Sequence, residues 1–103
     1  MFIRIAANRA LLLEDRDNFR AFKLVVECPR EDLERTRLAL TGTAELADAD
    51  TAWVFEDALR RWPDVAEDAA WQQALTAMIE KAKPFGWIDE QRKAIKAHVE
   101  WQS

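Results

Sequence analysis

The sequence contains no tyrosine, one cysteine, one histidine, two glycines and three prolines among its 103 residues. Each scarcity excludes something. A lone thiol, Cys28, cannot close a disulfide within the chain, which fits a reducing compartment. So little Gly and Pro leaves few punctuation points, and the connections between elements are expected to be short. No stretch approaches the roughly 18–20 apolar residues that would span a membrane. The apolar N-terminal segment is interrupted by Arg4, Asn8 and Arg9, too early for a signal-peptide core. The polar faces of its amphipathic segments are not strongly basic, which argues against membrane-surface binding. The expectation is a soluble cytoplasmic protein with no membrane partner.

A surplus of positive charge is also missing. Fifteen Lys and Arg residues are scattered among nineteen Asp and Glu, for a formal charge of −4. A nucleic-acid binder displaces counterions with a basic patch, and no such footprint is visible, so no nucleic-acid partner is expected. There is no phosphate loop, metal-ligand cluster or nucleophile constellation. Glu45, Asp48 and Asp50 are broken up by Leu46 and Ala47 with no glycine following, unlike a calcium loop. They read as a polar hairpin turn. No cofactor and no metal are expected, and the balance leans against an enzyme.

What the chain does have is tryptophan. Trp53, Trp62, Trp71, Trp87 and Trp101 can each bury a large ring and offer one N–H to a partner. Half the residues are apolar and a third charged. That composition suits one globular domain over residues 1–103, too short to be divided into two stable cores.

Periodicity gives the elements. Phe2, Ile3 and Ile5 lead to Leu11–Leu13 through Asn8-Arg9, readable as a hairpin, with a short helix as the alternative. Phe22, Leu24 and Val26 share one face of an extended segment, and the paired valines favour a strand over a helix. Pro29, Glu31 and Asp32 open a helix over 30–41, closed by Gly42. Residues 43–47 and 51–55 flank an Asp-rich turn as two strands, and Glu56 to Arg61 is a short helix ended by Pro63. Asp64 and Glu67 have capping-box spacing before Trp71, Leu75, Met78, Ile79 and Ala82, one apolar face of a helix that Pro84 and Gly86 terminate. In the tail, Glu90 to Ala94 favour helix. Ile95, Ala97, Val99 and Trp101 alternate with Lys96, His98 and Glu100 as in a strand. A helical turn near 89–93 followed by a strand is preferred. The fold class predicted is α+β, a small antiparallel or mixed sheet packed against two principal helices, with a mostly α arrangement as the alternative.

Two side chains invite chemistry. His98 is the one imidazole, and on a strand it shares a face with Lys96 and Glu100, whose carboxylate could orient the ring. Cys28, before Pro29 at a helix start, could be a reactive thiol if His98 lay beside it. The plainer readings are a surface histidine and a buried cysteine. Trp87 follows Gly86 and Trp101 is near the C-terminus, so both are harder to bury, and exposed tryptophans mark contact surfaces. Two functions follow. The first is a non-enzymatic protein acting through a protein partner or as a homodimer. The second is a small-molecule binder or enzyme with a pocket near Trp87, His98 and Glu100, while Trp87 and Trp101 together suggest a partner or ligand surface.

Overall fold

The hairpin around Asn8-Arg9 forms. In a computed structural model describing residues 1–102, β1 (Phe2–Ile5) and β2 (Leu11–Glu14) pair antiparallel, with Ile5 opposite Leu11. Arg9 takes the left-handed conformation (φ 67°), while the Asn8 side chain accepts from the Ala10 N–H at 3.0 Å. β3 (Lys23–Val26) is a strand, with Leu24, Val25 and Val26 buried. The helix expected over 30–41 begins as a 3-10 turn at Arg30–Asp32 and continues as α1 (Leu33–Ala39), before Gly42 at φ 84°. β4 (Ala44–Leu46) and β5 (Thr51–Phe55) follow, and their turn is closed by Asp48 Oδ1, which accepts from Asp50 N–H and Thr51 N–H at 2.8 and 2.9 Å.

After α2 (Glu56–Arg60), the long helix α3 (Ala69–Ala82) starts later than a capping box at Asp64 and Glu67 requires. Its cap is Asp68, whose Oδ1 accepts from the Trp71 N–H at 3.1 Å. Residues 63–67 form turns instead, and Gln72 Nε2 ties that segment to α3 and α2 by donating to the carbonyls of Val65 and Arg60. Gly86, at φ 75°, ends the 3-10 turn that follows α3.

The tail corrects one expectation. No helical turn occupies 89–93: Ile88–Asp89 is a short strand, β6, and Glu90–Lys93 is a turn into β7 (Ala94–Trp101). Helix propensity loses there to a local side-chain bond. Asp89 Oδ1 accepts from Gln91 N–H and Arg92 N–H at 3.1 and 3.2 Å, offering the backbone a turn in place of a helix.

The strands form one mixed seven-stranded sheet in the order β2-β1-β3-β7-β5-β4, with β6 beside β7. β1, β3 and β7 are parallel neighbours, and β5 runs antiparallel to β7. The α+β class holds, and the mostly α alternative does not. The sheet is larger than expected, and of the helices only α3 is long: α1 has seven residues and α2 five. Ile3, Ile5, Leu24, Val26, Val54, Ile95, Ala97 and Val99 join Leu59, Trp71, Leu75 and Ile79 in one core cluster, so the helices cover that face of the sheet. The opposite face carries Arg4, Lys23, Lys96, His98, Glu100 and Trp53. Among the described residues no helix is long and apolar enough to cross a membrane.

Two predictions test this packing. Leu75 is wholly buried, so Leu75→Ala should cost about 2–5 kcal/mol in urea unfolding. Leu38, 76% exposed, should tolerate Leu38→Ser within about 0.5 kcal/mol. The Arg92 side chain, with the N–H groups of Arg92 and Gln91, holds the Asp89 carboxyl below its ordinary 3.8. A depressed folded value means the native state binds fewer protons near that pH. The stabilisation is therefore full above 3.8 and lost as pH falls through the lower folded value. Asp89→Asn should lower the urea midpoint at neutral pH, and the gap to the parent should close in the acid range.

Candidate functional site

β7 is eight residues long, and no single neighbour matches it. On one edge β5 pairs with it from Ala94 to His98. On the other edge two short strands share it: β6 opposite Ala94 and Ile95, and β3 from His98 onward, where Lys23 lies opposite His98. Between them, at Lys96 and Ala97, that edge has no strand partner. The Lys96 N–H is satisfied by the Trp87 carbonyl at 2.8 Å, so the break leaves this donor paired.

A cleft of about 610 Å³ opens at this break. Its lining comes from both sheet faces, because Ile95 and Ala97 belong to the core side and Lys96 and His98 to the other. One wall is the segment Phe19–Lys23, the other Trp87, with Met78 of α3 at the base and Asp50 and Thr51 at the β5 end. The Phe19–Lys23 wall is anchored. Trp71 Nε1 donates to the Arg16 carbonyl at 2.9 Å, and the Phe19 and Trp71 rings lie 5.8 Å apart. The Met1 amino group donates to the carbonyls of Asn18 and Ala21 at 2.6 and 3.0 Å. A second hollow of about 440 Å³ shares Phe19, Arg20, Met78 and Trp87 with the first and continues along α3 to Phe85.

The residues singled out from the sequence separate here. Trp87 and His98 both line the cleft, brought to it by the pairing of β6 with β7 and the Lys96–Trp87 backbone bond. His98 is exposed, and among the described residues its imidazole has no hydrogen-bond partner. Glu100 does not orient it, since the Glu100 carboxylate takes Lys23 Nζ at 3.2 and 3.3 Å instead. Trp101 lies outside the cleft and folds back onto the core, its Nε1 donating to the Ala49 carbonyl at 2.6 Å. Cys28 is also elsewhere. Lys23 is the residue opposite His98, and Cys28 lies past the far end of β3, beyond three strand steps of about 3.3 Å each. No thiol–imidazole pair forms. Among the described residues no three His, Cys, Asp or Glu side chains gather closely enough to hold a metal ion.

Sequence reasoning missed Phe19, Arg20, Phe22, Lys23, Met78 and Lys96 as lining residues. Lys96 was within reach, as the alternating neighbour of His98. The others depend on the pairing of β3 with β7, 77 positions apart between Lys23 and Glu100, for which no local signal exists. No family model matches the sequence, and no curated protein or solved structure is similar enough to the chain to count as a match.

The two residues outside the cleft should behave as structural groups. Trp101→Phe removes a half-buried bond to Ala49 and should cost about 0.5–1.5 kcal/mol in urea unfolding. Glu100→Gln breaks a pair whose members are 37% and 42% exposed, and should cost under about 1 kcal/mol.

Proposed function

We propose that this chain is a small-molecule-binding protein that works through the cleft beside β7. One observation carries the reading: the unpartnered stretch of β7 edge coincides with the meeting of Trp87 and His98 over an apolar base. A volume near 610 Å³ lies within the usual range of ligand pockets, which combine aromatic walls with a few polar groups. Phe22, Met78 and Trp87 supply the apolar surface, and Lys96 and His98 the polar groups. The Phe19–Lys23 wall is fixed by hydrogen bonds from Met1 and Trp71, so the cleft is largely preformed, which lowers the ordering cost of binding.

A second reading, contact with another protein or a second copy of the chain, has its own support. The Phe85 and Trp87 rings stack with centroids 4.7 Å apart while 66% and 47% exposed. Exposed aromatic pairs of this kind are the usual anchors of protein interfaces.

Amide and indole NMR shifts distinguish the two. On titration with bicyclic aromatic fragments at fixed protein concentration, the cleft reading predicts changes concentrated at Ala97, His98 and the Trp87 indole N–H. Changes confined to the open sheet face around Trp53 and Phe2, or none at millimolar fragment, would contradict it. On dilution without fragment, shifts centred on Phe85 and Trp87 would favour self-association.

A further inference from the structure

The lining of the cleft is charged in one direction. Arg20, Lys23 and Lys96 reach it, against a single acid, Asp50. Asp50 already holds Arg30, Oδ1 accepting from Nη2 at 2.8 Å, and Lys23 holds Glu100. Adding Arg30 and Glu100 to the count leaves the surplus at two positive charges. Arg20 and Lys96 enter no ion pair among the described residues. This surplus sits in a chain whose formal charge is −4, so it is not a reflection of the overall composition. At physiological salt the screening length is about 8 Å, so the field inside the cleft is set by these near groups and not by the distant acids.

We infer that the cleft takes an organic oxyanion: a flat apolar body against Trp87, Phe22 and Met78, carrying one carboxylate or phosphate toward Lys96 and Arg20. The inference rests on the cleft being a ligand site and adds the charge of its ligand. Phe22, Ile95 and Ala97 belong to the core side of the sheet and Lys96 and His98 to the other, while Arg20 also borders the hollow along α3, so apolar and cationic groups share one opening. A ligand spanning it is therefore amphipathic. A cationic ligand finds one carboxylate, and that one is taken by Arg30. A neutral ligand gains the apolar wall alone. An oxyanion gains two cations that have no competing partner, and Arg20 can meet it with two parallel N–H groups. His98, with its ring free of protein hydrogen bonds, adds a further donor.

Glu100 becomes informative here although it does not touch the cleft. It is the counter-charge of Lys23, so it positions that ammonium and cancels it. Removing its charge should leave the wall in place and make the cleft more attractive to an anion. A gain of affinity cannot be mimicked by a folding defect.

The test is calorimetric titration with four ligands sharing one ring system: 2-naphthoate, 2-naphthyl phosphate, neutral 2-naphthamide and cationic 2-naphthylmethylamine. At low salt either anion should bind about three- to fivefold tighter than the amide, and the amine more weakly than the amide. The better of the two anions identifies the oxyanion. Molar salt should erase the gap between anion and amide. Glu100→Gln should tighten the anions about two- to fivefold and leave the amide unchanged, and Lys96→Gln should weaken the anions by a similar factor. Leu38→Ser, at an exposed residue of α1 outside the cleft lining, should change none of these. Equal binding of anion and amide, preference for the amine, or no response to Glu100→Gln would overturn the oxyanion inference while leaving the cleft as a ligand site. Failure of all four ligands at millimolar concentration would overturn both.

Discussion

Everything in this fold hangs on β7, the one strand among the described residues that hydrogen-bonds to three others. Its register joins β5 on one edge and both β6 and β3 on the other. Parallel pairing with β3 brings together residues more than seventy positions apart, which closes the largest loop in the chain, while β5 and β6 reach β7 through shorter, antiparallel connections. The side chains make this workable. Ile95, Ala97 and Val99 are buried on the face that the helices cover, while Ala94 is buried on the other. Lys96, His98 and Glu100 stand on the other face, where no helix covers them.

A long strand shared by two short ones must leave a break, and the break becomes a cleft because of what flanks it. Above lies Trp87, whose carbonyl satisfies Lys96 and whose ring stacks on Phe85. Below lies Phe19–Lys23, pinned to the rest of the fold through Met1 and Trp71. The same strand thus dictates the core on one face and an opening on its edge. The charge follows from the strand too, since Lys23 and His98 are register partners and Lys96 is the next residue on that face. Elsewhere on the open face the cations are spoken for: Arg4 by Glu14 and Glu27, and Arg92 by Glu45 and Asp89. An acidic chain can hold a locally cationic hollow because, of its nineteen acids, Asp50 alone lines the cleft among the described residues.

Much of the local structure was legible because it rests on short-range causes. The alternation through Ile95, Ala97, Val99 and Trp101 marked β7, and the spacing of Trp71, Leu75 and Ile79 marked α3, whose buried residues include all three. The polar turn at Asp48–Asp50 formed as read. The errors were local competitions decided by a side chain: Asp89 turned a helix-prone segment into a turn, and Asp68 in place of Asp64 capped α3. Two of the cleft's lining residues were singled out in the sequence, His98 as the one imidazole and Trp87 as a ring hard to bury. Glu100 stood out as the face neighbour of His98 and Trp101 as a second ring hard to bury, yet one neutralises Lys23 and the other bonds Ala49. Only the pairing of β3 with β7 separates the two pairs, and that pairing is written in no local pattern.

Native-state hydrogen exchange reads the central strand most directly. The Lys96 amide bonds to Trp87 and the Val99 amide to Asp50, on opposite edges of β7. If β7 is the member that both halves of the sheet depend on, these two amides exchange together, in the slowest class, at the free energy of global unfolding. Exchange of either one at the rate of the exposed Gln91–Arg92 turn would mean that the tail frays independently, and that the strand does not hold the fold together.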